Sequence, residues 1–441
     1  MIEEIRSGHP LSRTLHKLGL KRSGLSSRNY VLVLLTLTAA INFLDRQILS
    51  VLLEPIGQEF ELSDSLLGLL SGIAFAAFYS ILGIPIAALS DRLNRRNIIA
   101  ACIALFSAMT AVCGSVTSFV QLFLARVGVG VGEAGTAPAS QSIIADLFPV
   151  RERPFAMGVL ASGGNIGLLM GLLVGGWVNE WYGWRAAFWV AAVPGLFLAL
   201  IIRLTVPEPR RVAPPGAPGW VADTAASLVL IGKIRSFRLV ALGSCLYGLS
   251  AYGIQTWMPV YYIRYHDFST GEAGTAIALI VGVIGGAGTI FTASLCSKLS
   301  QGDLRWSCWL PCVSMGIGLP LLTGMFLTDN TGLALALFVL PGFLSSAFAG
   351  PTWAIIQELV PGNKRAMAAA LNLMLFNLIG LGLGPLAVGI ISDLYSPWAG
   401  DQSLRYAMVT VLLGTVLSMA YYLLASRTIL GDLHTDQTIS D

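Results

Sequence analysis

Residues 143–149 read Ile-Ile-Ala-Asp-Leu-Phe-Pro, and residues 355–361 read Ile-Ile-Gln-Glu-Leu-Val-Pro. Two basic residues follow shortly after each copy. A match of this kind, with its flanking charges in the same order, indicates an internal repeat. We therefore expect a chain made of two halves with similar architecture.

The composition of the chain indicates a membrane protein. Of its 441 residues, 55% are hydrophobic and 12% are charged, and the mean hydropathy is +0.73. A soluble domain carries roughly 25% charged residues, so this composition excludes a soluble protein. Each membrane-spanning helix needs about 20 apolar residues. We count twelve such segments, near residues 31–53, 66–90, 98–116, 119–142, 155–178, 186–206, 238–261, 273–297, 307–327, 332–357, 366–391 and 404–425.

The repeat falls at equivalent points of this pattern, between the fourth and fifth spans and between the tenth and eleventh. The longest internal polar stretch, 207–237, contains five prolines that prevent a continuous helix. It separates six spans from six, which is how one large class of transporters is built. The predicted fold is therefore all-α, with twelve transmembrane helices in two pseudo-symmetric halves. The predicted parts are an N-terminal segment 1–29, a first half 30–206, a linker 207–237, a second half 238–426 and a tail 427–441.

The distribution of Lys and Arg predicts the topology. Basic residues cluster before the first span and in every second loop, whereas the loop 53–65 contains only acidic charges. The alternate loops hold only Arg185, Arg264 and Arg405. By the positive-inside rule, both termini are cytoplasmic. We expect a multi-pass protein of the inner (plasma) membrane without a cleaved signal peptide.

Charged residues lie inside two of the apolar spans. Asp45 and Arg46 lie in the first span, and Arg126 and Glu133 lie in the fourth. A charge inside a bilayer costs on the order of 3 kcal/mol and is seldom kept without a partner or a function. Arg126 and Glu133 share one helix face roughly 10 Å apart, and Asp45 and Arg46 fall at a level between them. The four charges are therefore expected to form one neutral cluster.

We predict that this cluster couples transport to protons. Adjacent side chains on a helix diverge by about 100°, so Asp45 is expected to face Arg126 and Glu133. Arg46 is expected to meet Glu133 or a substrate head group. Movement of an arginine away from a buried carboxylate would release that carboxylate to take up a proton. The alternative is a static ion network that fixes helix register. The repeat places Phe338 and Ser345 opposite Arg126 and Glu133, so the repeat itself does not require the charges.

A loop motif resembles the major facilitator superfamily. Residues 88–96 read Ala-Leu-Ser-Asp-Arg-Leu-Asn-Arg-Arg, with Ala87 and Asn94 where that family usually has glycine. In the family, the charges of this loop help lock the cytoplasmic side between conformations. The resemblance and the first repeat copy imply a conformational switch formed by Asp91, Arg92, Arg95, Arg96, Asp146, Arg151 and Arg153.

Two further segments narrow the resemblance to the spinster family. Residues 41–46, Ile-Asn-Phe-Leu-Asp-Arg, resemble its first-helix signature, and residues 124–134 resemble its fourth-helix signature. The similarity is strong over the first half and rests on topology and the repeat in the second. Eukaryotic spinsters are associated with export of lysophospholipids and sphingosine phosphate, and bacterial relatives with proton-coupled transport. The resemblance therefore implies a bacterial spinster homologue that moves a lipid-like molecule.

Aromatic and amide side chains of the second half suit the other side of a substrate cavity. Together with the charges, such groups would bind an amphipathic anion or zwitterion. The alternative is that most of them pack against other helices or form interfacial belts. The residues expected to line the cavity are Asn42, Asn165, Tyr252, Gln255, Trp353, Asn372 and Asn377.

The predicted function is a secondary active transporter, proton-coupled, for an amphiphilic lipid-like substrate. An organic-anion or sugar-acid symporter is the alternative, because some facilitators share an Asn-x-x-Asp-Arg stretch in the first span. An intramembrane enzyme is a remote alternative, and no appended domain supports a channel or sensor. The six cysteines show no metal-ligand spacing or disulfide framework, and no span contains a histidine. We therefore expect no catalytic residues, no metal and no cofactor, with H⁺ as coupling ion. The expected partners are membrane lipids and the substrate, without nucleic acid, and the expected state is a monomer.

Overall fold

The computed structural model describes residues 27–90, 93–208, 230–361 and 364–437. Nearly all of these residues are helical, and no strand occurs among them. The predicted switch residues Asp91 and Arg92 lie outside the described residues. So do most of the predicted N-terminal segment and linker, and the last four residues of the tail.

The first half consists of helices α1 to α6, which follow one another through short connections. Two of them are interrupted: α2 at Gly72, and α4 where Ala134 and Gly135 separate its two parts. Their bounds are α1 Ser27–Phe60, α2 Asp64–Ser71 with Ile73–Ser90, α3 Arg95–Cys113, α4 Phe119–Glu133 with Thr136–Leu147, α5 Arg153–Tyr182 and α6 Trp184–Thr205.

The second half consists of helices α7 to α12. Helices α8 and α11 each contain a wider π-helical segment, at Ala278–Ile284 and Asn377–Leu383, and α10 is interrupted at Ser345–Ala347. Their bounds are α7 Arg235–His266, α8 Thr270–Ser300, α9 Trp306–Leu327, α10 Thr331–Leu344 with Ala349–Glu358, α11 Arg365–Ala399, and α12 Ser403–Val411 with Leu413–Gln437.

Twelve spans account for the described helices. Ten stretches are apolar and long enough to cross a membrane, and the last of them, Met367–Asp432, has 66 residues and contains both α11 and α12. Helix α4 is the remaining span. It is not among the ten stretches because the break at Ala134 and Gly135 divides it into parts of 15 and 12 residues. The predicted number of spans is confirmed. The observed helices extend beyond several predicted segments, and α1 continues to Phe60.

Helix α5 packs closely against α1 through a stripe of glycines. A methyl group added at Gly167 would lie 2.1 Å from the carbonyl oxygen of Ala40. At Gly163 and Gly171 it would lie 2.4 Å and 2.7 Å from carbonyl oxygens of α1. Larger residues would force the helices apart, since contacts this short require backbone to shift. The stripe holds α1, which carries Asp45 and Arg46, against the rest of the first half.

The two halves meet at one end of the bundle, which we call the far end. It lies opposite the tail end, where α1 begins and α12 ends. Arg264 of α7 pairs with Glu54 at 2.7 Å and with Asp64 at 2.9 Å. The backbone N–H groups of Asp64 and Ser65 donate to the carboxylate of Asp393 on α11 at 3.1 Å and 2.9 Å. The first turn of α2 is therefore capped by a side chain of the other half.

A second set of far-end contacts joins α5 to α8. Ser269 and the N–H of Gly271 donate to the carboxylate of Glu180 at 2.7 Å and 3.2 Å. Asn179 donates to the hydroxyl of Thr270 at 3.0 Å. These hydrogen bonds and ion pairs between the halves all lie at the far end. The molecule is thus closed at that end.

Candidate functional site

Two ion pairs join α1 to α4 in the interior of the first half. Arg126 Nη1 lies 2.8 Å from Asp45 Oδ2, and Arg46 Nη2 lies 2.8 Å from Glu133 Oε2. All four charges predicted from the sequence are brought together. The two adjacent residues of α1 take different partners, because their side chains leave the helix in different directions.

Asp45 lies in the more enclosed of the two pairs. Its side chain and that of Arg126 are each 2% exposed. The hydroxyl of Thr110, on α3, donates a hydrogen bond to the other carboxylate oxygen of Asp45. Asp45 therefore has a cation and a donor, while Glu133 takes its cation from Arg46 rather than from Arg126. The expectation that Asp45 faces both partners of α4 is replaced by two separate pairs.

Arg46 forms the more open pair. Its guanidinium donates through Nε to Glu133 Oε2 at 2.8 Å, and its side chain is 15% exposed whereas that of Glu133 is fully buried. The same guanidinium carbon lies 4.5 Å from the ring centre of Tyr79, 4.7 Å from Phe75 and 5.3 Å from Phe43. Cation–π contacts of this kind stabilise an arginine that has been taken out of water.

A neutral contact lies beside the Arg46–Glu133 pair. The amide of Asn42 donates to the hydroxyl of Thr136 at 2.6 Å, and that hydroxyl donates to the carbonyl oxygen of Glu133 at 2.8 Å. Thr136 begins the second part of α4, so the contact supports the helix where its own hydrogen bonds are interrupted. Asn42 is 8% exposed and belongs to this contact instead of the wall of a cavity.

The four charges sum to zero when all are ionised, which is the condition under which such groups are tolerated in an apolar interior. The arrangement still has two parts of different exposure. The inner pair, Asp45 and Arg126, is sealed. The outer pair has one partly exposed cation, Arg46, so it is the more accessible of the two pairs.

A cavity of about 490 Å³ lies in the second half. Among the described residues, its wall is mainly aliphatic and aromatic, with several hydroxyl groups, the amide of Gln255 and no charged side chain. Phe338 and Ser345, the repeat equivalents of Arg126 and Glu133, both belong to this wall. Of the described residues of the first half, Phe43 alone belongs to this wall, so this ring lies between the cavity and Arg46.

Three of the residues predicted to line a cavity do so, namely Tyr252, Gln255 and Trp353. Tyr252 also packs against the core cluster that contains Phe75, as does Tyr79, so the cavity adjoins the aromatic surroundings of Arg46. The structure does not place Asn372, Asn377 or Asn165 in this wall. Asn372 is 1% exposed and accepts a hydrogen bond from Ser244 at 2.9 Å, which commits it to packing of α11 on α7. Asn377 is buried in the π-helical segment of α11, and Asn165 is exposed on α5.

The predicted switch residues that are described lie at the tail end of the first half, and two of them, Arg95 and Asp146, contact each other. Arg95 is buried and pairs with Asp146 at 2.6 Å and with Glu208 at 3.0 Å. The N–H of Arg96 donates to the other oxygen of Glu208 at 2.9 Å. Arg153 donates to the carbonyl oxygen of Phe148 at 3.1 Å, and Arg151 is exposed in the loop before α5. These contacts join α3, α4 and the end of α6.

Several residues that contact the four charges are absent from the sequence-based predictions. Thr110 and Tyr79 carry no distinguishing pattern, because hydroxyl and aromatic residues are common in apolar helices. The ion pairs of the far end, in contrast, are indicated by the distribution of charge in the sequence. The charged residues of the loop 53–65 are all acidic, and the alternate loops hold three arginines. Two of those arginines pair with that loop: Arg264 as above, and Arg185 with Glu59 at 2.7 Å.

Comparison with known proteins is consistent with these features. The family model described as "Major Facilitator Superfamily" matches residues 35–385. The fold is similar to a crystal structure of a bacterial homologue of the human lysosomal transporter Spinster, in an inward-facing and unoccupied conformation. The TM-score is 0.84 and the sequence identity 30%, covering 93% of this chain and 99% of the other.

Curated relatives include transporters of different substrates. The chain is 31% identical to an MFS-type efflux pump of Mycolicibacterium smegmatis over 89% of this chain and 91% of the relative. It is 27% identical to the cis,cis-muconate transport protein of Acinetobacter baylyi over 85% and 90% of the two chains. It is also 26% identical to the sphingosine-1-phosphate transporter SPNS2 of Danio rerio over 89% and 82%.

Proposed function

The chain belongs to the Major Facilitator Superfamily, and from that premise we propose that it is a proton-coupled transporter of an amphiphilic, lipid-like molecule. It is a multi-pass membrane transporter related to Spinster proteins. The observation that carries the proposal is the position of the Arg46–Glu133 pair beside an uncharged, largely apolar cavity. An amphiphile would place its chain in the cavity of the second half and its polar head group near Arg46.

The exposure of Arg46 supports this placement of a head group. Arg46 is the partly exposed member of the four charges, and its guanidinium lies against Phe43, which lines the cavity. An anionic or zwitterionic head group reaching Arg46 would compete with Glu133 for the cation. Glu133 would then be a buried carboxylate without its partner, and protonation would remove the cost of that charge.

Proton uptake at Glu133 supplies the coupling in this proposal. Once Glu133 is neutral, Arg46 is free to stay with the substrate, and the first half no longer holds an unbalanced negative charge. The ion pair of Asp45 with Arg126 and the hydrogen bond from Thr110 to Asp45 stay unchanged during this step. Substrate binding and proton binding are thus coupled because both depend on the position of Arg46.

Alternating access would proceed by rocking of the two halves. We infer from the distribution of basic residues that the tail end, with both termini, is cytoplasmic and that the membrane is the inner (plasma) membrane. In that orientation the closed far end faces outward, and the conformation described here is inward-facing. The protein is proposed to work as a monomer among membrane lipids, without an enzymatic activity, cofactor or nucleic acid.

An organic-anion symporter is the second candidate. The muconate transport protein supports it, since that relative is similar over most of both chains. A small dicarboxylate would use Arg46 in the same way but would leave much of the 490 Å³ apolar cavity without a matching group. The cavity therefore favours the amphiphile.

Transport in proteoliposomes tests the proposal. Lysophospholipids, a sphingoid phosphate and cis,cis-muconate are presented separately, and substrate movement and lumenal pH are followed under an imposed pH gradient. We expect gradient-driven movement of an amphiphile with proton flux, reduced at least tenfold in Glu133→Gln. Glu59→Gln, at the exposed far-end pair, is the matched control and should transport normally. Substrate movement without proton flux would contradict the coupling, and movement of muconate alone would contradict the amphiphile.

A further inference from the structure

Two buried oxygen atoms beside the Arg46–Glu133 pair accept no hydrogen bond in the described part of the chain. They are Oε1 of Glu133 and Oδ1 of Asn42. Glu133 is fully buried and Asn42 is 8% exposed. Leaving a buried acceptor without a donor costs about 1–3 kcal/mol. The two acceptors belong to neighbouring contacts of the same helix pair, so a proton on one of them would supply a donor for the other.

The two oxygens belong to adjacent contacts between antiparallel helices. On α1, Asn42 and Arg46 are four residues apart and share a face. On α4, Glu133 and Thr136 are three residues apart, and the pairing is Arg46 with Glu133 and Asn42 with Thr136. The contacts are separated by about one helical turn, roughly 5 Å. In each side chain the other polar atom already has a partner: the amide nitrogen of Asn42 donates to Thr136, and Oε2 of Glu133 accepts from Arg46.

The orientation of the Asn42 amide is fixed by its neighbour. The hydroxyl of Thr136 donates to the carbonyl oxygen of Glu133, so it can only accept from Asn42. The amide nitrogen of Asn42 must therefore face Thr136, which leaves its oxygen as an acceptor. Arg46 contacts Glu133 at Oε2, through a hydrogen bond from Nε and an ion pair at Nη2, and Oε1 accepts no hydrogen bond from the described residues.

The ionisable groups around Glu133 are accounted for on every neighbouring helix. Asp45 and Arg46 come from α1, Arg126 from α4 itself, and Tyr79 of α2 lies under Arg46. From α3, Cys102 lies next to Gly135 at the interruption of α4. None of these groups donates to Oε1 of Glu133. A proton on Oε1 would create the missing donor, and Asn42 offers the missing acceptor.

We propose that Asn42 is a positioning residue for the coupling proton: protonated Glu133 donates a hydrogen bond from Oε1 to Oδ1 of Asn42. This inference rests on the proposed function and assigns the place where the proton is held. Only an O–H bond forms on uptake and breaks on release. The bond to Asn42 satisfies both oxygens at once and holds the protonated carboxyl while Arg46 is engaged elsewhere.

The test compares Asn42→Leu, which is similar in size but has no acceptor, with Thr38→Val. Thr38 lies one turn earlier on the same face of α1, is 1% exposed and donates to Leu34 of its own helix. The rate of gradient-driven transport is measured against the pH of the proton-donating side. We expect the midpoint for Asn42→Leu to move about one unit to lower pH, a tenfold change in proton concentration. Thr38→Val should keep the wild-type midpoint.

Thr136→Val provides a second variant, because it keeps the Asn42 oxygen but removes the group that orients it. We expect a shift in the same direction and smaller than that of Asn42→Leu. Infrared difference spectra between low and high pH give an independent readout without transport, with the protonated carboxyl band assigned by its loss in Glu133→Gln. That band should move in Asn42→Leu.

The outcomes separate the two proposals. If wild-type transport does not depend on the pH gradient, the proposed coupling is contradicted. The infrared band would still show whether protonated Glu133 donates to Asn42. A wild-type protein that is gradient-driven, together with an unchanged midpoint and band in Asn42→Leu, would overturn the role of Asn42 alone. A midpoint that moves to higher pH would overturn it as well.

Discussion

The first and second halves of the molecule have the same architecture, but the interior of the first contains ion pairs and that of the second an uncharged cavity. In the first half, Arg126 and Glu133 lie on α4 and pair with adjacent residues of α1. At the equivalent positions of α10, the second half has Phe338 and Ser345, and both line an uncharged cavity. Both helices are interrupted just after this level, α4 at Ala134 and α10 at Ser345. The helix geometry is therefore shared, and the chemistry placed on it is not.

Under the proposed function, this difference is a division of work between the halves. Buried charges need fixed partners, because an uncompensated charge in an apolar interior is costly. A cavity for an amphiphile needs the reverse, an apolar wall with few polar groups. Putting both into one half would expose the ion pairs to the substrate chain. Phe43 and Tyr252 line the cavity on the side of the charges: Phe43 contacts Arg46, and Tyr252 packs against the cluster that contains Phe75.

The largest expected effect follows from removing a fixed partner in the first half. Arg126→Leu leaves Asp45, 2% exposed, without its cation, and such a loss costs about 3–5 kcal/mol. The double variant Arg126→Leu with Asp45→Asn should recover most of the stability, since it removes both charges. Thermal unfolding of the purified variants measures both effects.

The repeat-equivalent substitution in the second half is the control for this prediction. Phe338→Leu replaces one apolar side chain by another and should cost below about 1.5 kcal/mol. If Arg126→Leu is no more destabilising than Phe338→Leu, the ion pairs are not what holds the first half together. The contrast between the halves would then be one of composition without an energetic consequence.

A smaller effect is expected from enlarging the cavity of the second half. Phe338→Ala removes a ring from the wall, and the KM for an amphiphile should rise five- to tenfold, about 1 kcal/mol. The pH dependence of transport should stay unchanged, because no charged group is touched. Phe291→Ala, on α8, is the control, since that ring is 53% exposed and does not line the cavity. A changed pH dependence with an unchanged KM would mean that the halves do not divide the work as inferred.

Much of the fold follows from the sequence in physical terms. Twenty-residue apolar segments cross a membrane whatever their neighbours are, so the spans are readable one at a time. The heptapeptides at 143–149 and 355–361 add the relation between the halves. The interruption of α4 is less readable, because Gly128, Gly130, Gly132 and Gly135 are all candidate positions and the break occurs at the last of them.

The site can be predicted only in part. Charged residues are conspicuous in apolar segments, so Asp45, Arg46, Arg126 and Glu133 can be identified from the sequence, and the structure brings them together. Their pairing depends on helix rotation, which a sequence does not contain. Asn372 looked like a cavity residue because it is polar, yet it is committed to Ser244 by the packing of α11 on α7. Polar residues that satisfy each other between helices and those that face a cavity have the same appearance in sequence.

The smallest predicted effect concerns the contacts that join the two unlike halves. Arg264 bridges from α7 to Glu54 and Asp64 of the first half, whereas Arg185 pairs with Glu59 inside the first half at the same end. The two arginines are similarly exposed, at 27% and 33%. Removing Arg264 should weaken the closed far end by about 1 kcal/mol after screening by solvent, a fivefold shift toward far-end opening.

Spin-label distances measure this shift in a variant background without native cysteines. Labels at Val150 and Gln301 report on the tail end, and labels at Tyr182 and Gln402 report on the far end. In Arg264→Gln the far-end population should move to longer distances while the tail-end population moves to shorter ones. Arg185→Gln should leave both distributions unchanged, because its ion pair does not cross between the halves. Equal distributions in the two variants would show that the halves are held together by the glycine-backbone contacts of α2 with α11, such as Gly72 against Gly382, rather than by charge.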